Sequence, residues 1–146
     1  MVKQITEDIY SIGVPLSGNP LKELNSYWIR GTQRDLLIDT GFRCRECEDA
    51  LREGLKELGS GSSRLDIITT HLHSDHTGLC QRIAGKDSKI YISKTDFTIM
   101  KDHLFGDGSH LRHQRYIREG FPKDLLEYAD SINPASEMAI ESPEGN

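Results

Sequence analysis

Apolar positions change period several times along the chain, and each change marks an element. Residues 4–14 carry Ile5, Ile9, Tyr10, Ile12 and Val14 between polar neighbours, which predicts one or two short edge strands. Pro15, Gly18, Asn19 and Pro20 then break the chain. Residues 26–30 (SYWIR) and 35–39 (DLLID) read as apolar strands, and the intervening residues 31–34 suit a hairpin. Gly41 closes the second of them. From Cys44 to Leu58 the period becomes helical. Cys47, Ala50, Leu51, Gly54, Leu55 and Leu58 share one face, with Glu, Arg and Lys between them.

The glycine- and serine-rich residues 59–63 stop that helix. Residues 65–70 (LDIITT) form a β-branched, nearly continuous run, which predicts a strand covered on both faces. After a polar loop, residues 78–84 read as a short helix, 89–93 (KIYIS) as a strand and 94–101 as a helix. Residues 106–109 are a loose loop. Residues 110–119 read as a very polar helix, and 122–129 as an amphipathic one carrying Leu125, Leu126 and Tyr128. From Ser131 the chain is rich in Pro, Ser and Glu without periodicity. The order of elements predicts an α/β or α+β fold with a mixed sheet, in one domain over 1–130 followed by a flexible tail over 131–146.

Composition narrows the classes. The 146 residues suit one domain, which at this size buries roughly 70% of its unfolded surface. Hydrophobic residues make up only 36%, so the core is modest and some surface awaits a partner. The net charge of −5 argues against an electrostatic nucleic-acid partner. No apolar run reaches the roughly 20 residues of a membrane span. The first fourteen residues interleave charge with apolar side chains, unlike a secretory signal. The cysteines, Cys44, Cys47 and Cys80, are odd in number and sparse, which fits a reducing cytoplasm. Cys44 and Cys47 spell C-x-x-C after a strand. The pair reads first as two small residues on the opening turns of a helix, with a redox role as the alternative.

The chemistry concentrates in residues 70–78, Thr-His-Leu-His-Ser-Asp-His-Thr-Gly. Residues i and i+2 of an extended segment point to one side, so His71 and His73 can converge on one ion. Asp75 and His76 lie where the chain turns into the next helix and can face a second. Imidazole with carboxylate suits zinc, iron or manganese rather than calcium. An ion pair of that kind generates hydroxide near neutral pH and polarises a substrate oxygen. The competing view is a polar loop whose histidines only cap the following helix.

This stretch resembles the H-x-H-x-D-H signature of the metallo-β-lactamase superfamily, and Leu37-Ile38-Asp39-Thr40-Gly41, about thirty residues upstream, resembles its second recurring motif. The order hairpin, I-D-T-G, helix, strand, signature, helix, strand is similar to the N-terminal half of that family's αββα sandwich. The resemblance implies a metal-dependent hydrolase of esters, thioesters, lactones, amides or phosphodiesters, acting on a small molecule. It implies two divalent ions, zinc before iron or manganese, with His71 and His73 ligating the first and Asp75 and His76 the second. Asp75 would also orient the hydroxide or accept its proton, and Asp39 would orient the ligand loop by hydrogen bonds. His76 is similar to its counterpart in glyoxalase II-like, lactonase-like and ribonuclease Z-like members.

The resemblance runs over roughly residues 4–100, and 101–130 looks like the variable insertion that shapes the substrate pocket. The family's remaining ligands, a third histidine, a bridging Asp and a last histidine, have no matching segment here. Two ligands of three for one ion, and two of four for the other, are therefore expected. His110 and His113, at i and i+3, could line the pocket or complete the site, beside His103. Arg112, Arg115 and Arg118 read as a solvated helix face. Phe97, Met100, Phe105, Tyr116 and Phe121 are expected in core or lid packing. Three expectations follow for the whole: a fragment of a longer hydrolase and feeble alone, a homodimer whose second copy mimics the absent half, or a partner-binding module without turnover.

Overall fold

The computed structural model describes residues 1–105 and 114–131. A single six-stranded sheet runs in chain order: β1 (Val2–Gln4), β2 (Ile9–Pro15), β3 (Glu23–Ile29), β4 (Asp35–Ile38), β5 (Leu65–Ile68) and β6 (Ile90–Tyr91). The first four strands are antiparallel neighbours, while β4, β5 and β6 pair in parallel. Helix α1 (Arg45–Glu57) crosses between β4 and β5. Two one-turn helices, α2 (Ser74–Thr77) and α3 (Cys80–Ile83), precede β6. Helix α4 (Lys94–Phe105), helical residues 114–118 (α5) and α6 (Lys123–Ser131) follow.

Helix α1 forms where the period predicted it. Cys44, in extended backbone, caps its start, and Leu58 its end. Its apolar stripe buries Cys47, Leu51, Gly54 and Leu55 against the strand residues Ile12, Val14, Trp28, Leu37, Leu65 and Ile67. Each fully buried side chain of this size contributes about 1.5–3 kcal/mol by leaving water. Glu48 accepts from Arg52 at 2.9 Å and from Arg82 at 3.1 Å, which ties α1 to α3 and holds the Glu48 carboxyl below its ordinary pKa. The Trp28 indole donates to Ser60 Oγ at 3.1 Å, fastening β3 to the turn after α1. At the foot of β5, Arg34 clamps Asp66 with bonds of 2.9 and 2.7 Å and, with the Lys89 amide, draws its pKa down to about 2.

The sheet's other face differs from the expectation. Residue alternation puts Tyr27, Ile29, Leu36, Ile38, Ile68 and Tyr91 there, in register with one another. Tyr27, Ile68 and Tyr91 are 38%, 37% and 47% exposed. Among the described residues the run 65–70 is therefore covered on one face, that of the helix α1.

Other boundaries shift too. The edge strand β1 lies at Val2–Gln4, ahead of most of the 4–14 run, and β2 within that run is no edge, since it pairs on both sides. β5 ends at Ile68, β6 shortens to two residues, and the helix expected at 78–84 begins already at Ser74 and splits in two. α4 runs on to Phe105 and α6 takes in Ser131. Phe97, Tyr116 and Phe121 are 56%, 42% and 48% exposed, so they do not join a core here. Among the described residues, the main core cluster takes nothing from α4 to α6. The loop at 106–109, Arg112 and the tail beyond Ser131 lie outside the described residues.

Gly54 marks the closest approach of α1 to the sheet. A Cβ there would stand 2.5 Å from Ile12 Cγ2, and Ile12 is fully buried. Alanine in a helix interior ordinarily gains about 0.5–1 kcal/mol over glycine. Gly54→Ala should instead cost about 1–3 kcal/mol by overpacking, read from urea unfolding. A gain in stability would contradict this contact.

Candidate functional site

The loop bearing the histidines leaves the carboxyl end of β5 beside that of β4, the end at which open parallel sheets present their ligand sites. Asp39 sits just past β4 with φ of 62°, a left-handed conformation that turns the chain toward the neighbouring loop. Its amide donates to the Ile68 carbonyl at 3.0 Å, carrying the parallel ladder one step further. Its carboxylate accepts from the Thr70 amide and the Thr70 hydroxyl, each at 2.8 Å, and lies 2.8 Å from His76 Nδ1. Asp39 is 5% exposed, so these charge-assisted bonds act largely away from water.

Thr40 secures the far end of the loop. Its amide and hydroxyl both donate to the His76 carbonyl, at 2.9 and 3.0 Å, and its hydroxyl accepts from the Leu79 amide at 3.2 Å. A Cβ on Gly78 would stand 2.7 Å from the Arg43 nitrogen and 2.8 Å from the Gly41 oxygen, so only glycine lets α2 end against that segment.

The histidines cluster as their spacing predicts. His71 Nε2 and His73 Nδ1 are 2.9 Å apart, and the His71 and His76 rings have centroids 4.0 Å apart. With Nδ1 turned to Asp39, His76 presents Nε2 to Asp75 Oδ2 at 3.5 Å. His73 occupies the cap position of α2 without a side-chain capping bond. Helix capping therefore does not account for it. Burial, then the neighbouring His76 and His73, push the His71 pKa below its ordinary value, favouring the neutral imidazole that ligates metals.

Imidazoles converging beside a carboxylate fit a divalent transition metal by donor chemistry. Two nitrogens on one tetrahedral zinc stand about 3.3 Å apart, close to the His71–His73 separation. The set is also short of donors. Among the described residues, no group of three or more His, Cys, Asp or Glu side chains is arranged to hold a metal ion. His103 lies on α4, and His110 and His113 lie outside the described residues.

Thr70 and Thr40 were not singled out as site residues from sequence. Thr70 Oγ1 lies 3.1 Å from His71 Nδ1 and 3.3 Å from His76 Nδ1, bridging Asp39 to both rings. The signal was adjacency: each threonine directly abuts a residue that was singled out.

The family model of the metallo-beta-lactamase superfamily matches residues 22–135, and the chain belongs to that superfamily. Over 65 residues it is 43% identical to the acyl-coenzyme A thioesterase MBLAC2 of Gallus gallus, covering 42% of this chain and 22% of that protein. A metallo-beta-lactamase family protein from Thermus thermophilus superposes with a TM-score of 0.70 at 23% identity, covering 96% of this chain and 46% of that one. A metallo-beta-lactamase mutant from Cronobacter sakazakii gives 0.57 at 22% identity, covering 73% and 42%. These likenesses establish the fold as α/β of the metallo-β-lactamase type. Each match takes in less than half of the relative's own length.

Thr40→Val keeps the shape but strips the Leu79 amide of its acceptor and the His76 carbonyl of one donor. A loss of about 1–3 kcal/mol is expected, measured as a shift in urea unfolding midpoint. A change within about 0.5 kcal/mol, as at an ordinary surface site, would contradict the anchoring role.

Proposed function

We propose that the chain carries the N-terminal share of a metal-dependent hydrolase centre, with His71 and His73 as ligands of one ion and Asp75 and His76 as ligands of a second. The observation that carries this reading is the convergence of His71 and His73 at 2.9 Å beside the Asp39-anchored His76. Divalent ions bound there, zinc before iron or manganese, would supply Lewis acidity and activate water near neutral pH. Asp75 orients the attacking water or accepts its proton. Asp39 holds His76 by Nδ1 so that Nε2 faces the site, and Thr70 relays the same carboxylate toward His71.

The substrate is a small molecule with an activated acyl or phosphoryl centre. The thioester class draws support from the identity shared with the acyl-coenzyme A thioesterase. His110 and His113 are pocket-lining candidates on sequence grounds. No described helix is long and apolar enough to cross a membrane, and an odd, sparse set of three cysteines fits a protein not built on a disulfide framework, as in the cytoplasm. The remaining ligands come from a C-terminal segment or a second copy that also covers the apolar face of Tyr27, Ile68 and Tyr91. That exposed face equally favours the second reading, a homodimeric or partner-binding module without turnover.

Metal content by plasma mass spectrometry, paired with thioester and lactone hydrolysis, tests the proposal. The protein with its site complete should hold one or two equivalents of transition metal, and His71→Ala or His73→Ala should abolish both metal and turnover. Asp39→Asn should weaken metal binding about 10–100-fold. The 146-residue chain alone should hydrolyse feebly. Stoichiometric metal with full turnover in both alanine variants would overturn the ligand assignment. A tight dimer without metal would favour the module.

A further inference from the structure

We propose that Cys44 and Cys47 form a reversible dithiol–disulfide centre, closed by exchange with a low-molecular-weight disulfide. It uses none of the loop's histidines and stands apart from the hydrolase reading. The two sulfurs lie 3.1 Å apart. A disulfide bond is about 2.05 Å long, so closure needs about 1 Å of approach between the sulfurs. Cys44 is the cap residue of α1, in extended backbone, and Cys47 lies three residues on in the first turn of this 13-residue helix.

The two thiols are unequal, which sets their roles. Cys44 is half-buried and can meet an oxidant, whereas Cys47 is 1% exposed. Burial, followed by the bond to Cys44, pushes the Cys47 thiol up to about 12. Cys47 therefore waits as a protonated thiol behind its partner. Cys80 makes a contrast. It is also buried, but its sulfur contacts Thr40 Oγ1 at 3.8 Å.

In the first step Cys44, as its thiolate, attacks one sulfur of a disulfide RS–SR. The S–S bond breaks, RS⁻ departs and takes up a proton, and a Cys44–SR mixed disulfide remains. Cys47 then loses its proton and attacks the Cys44 sulfur, displacing the second RS⁻, which is protonated in turn. The dithiol has been oxidised by two electrons, and RS–SR has been reduced to two RSH. In the reduced state the Cys47 thiol donates to the Pro15 carbonyl at 3.0 Å, a weak bond that oxidation removes. The new ring would close directly after Arg43, whose amide lies against Gly78 at the end of α2.

The test takes the full reduced chain, exposes it to excess oxidised glutathione and quenches with an alkylating agent for intact mass and peptide mapping. The wild type should lose two hydrogens, map one bond between Cys44 and Cys47, leave Cys80 a thiol and return fully with dithiothreitol. Cys47→Ser should stop with one glutathione on Cys44, and Cys44→Ser should take up none at Cys47. If Cys47→Ser fails to fold, the wild-type map decides alone. Two free thiols after prolonged exposure, glutathione retained on the wild-type chain, or a bond that includes Cys80 would each overturn the proposal.

Discussion

The carboxylate of Asp39 is the constraint on which the site depends. It lies past β4 in a left-handed backbone conformation, and three polar contacts from the facing loop end on it: the Thr70 amide, the Thr70 hydroxyl and His76 Nδ1. Hydrogen bonds to a charged group contribute about 1.5–3 kcal/mol each, and one removed leaves a buried charge short of a partner. The Asp39 carbonyl is itself held by Ser26 Oγ at 2.7 Å, so the anchor reaches back into β3. Thr40, one residue on, fixes the far end of the same loop through the His76 carbonyl. Two adjacent residues thus place a loop that starts about thirty residues later in the chain.

The sheet explains why that placement is firm. β4 and β5 are parallel neighbours in register, and α1 packs on the same face of the sheet, closest at Gly54 against Ile12 of β2, with Leu51 and Leu55 in one core cluster with Leu37 and Ile67. The Asp39 amide bond to the Ile68 carbonyl carries that pairing past the strand ends and sets Asp39 beside Thr70. The opposite face, lined by Tyr27, Ile68 and Tyr91, lacks such cover among the described residues. The solved relatives that this chain matches are each covered over less than half of their own length.

Much of this was legible in the sequence, for reasons that differ by element. The face of α1 was readable because Cys47, Leu51, Gly54 and Leu55 repeat at helical spacing beside charged neighbours. The sequence places His71 and His73 close together, although the segment that brings them within 2.9 Å bends at residues 70–72 instead of staying extended. The one-sided cover of β5 was not readable, because a β-branched run looks alike whether its outer face meets protein or water. Phe97, Tyr116 and Phe121 show the same limit, because an aromatic residue reports a preference for burial, and whether a surface arrives to satisfy it is a tertiary matter. Thr40 and Thr70 escaped notice because their work is hydrogen bonding between segments distant in sequence.

The central claim is that Asp39 fixes His76 by its Nδ1 proton and leaves Nε2 free to face Asp75. Long-range proton–nitrogen correlation NMR on the histidine rings reads that proton directly. The account predicts a proton on His76 Nδ1. A His76 ring carrying its proton on Nε2 alone, with Nδ1 bare, would contradict it.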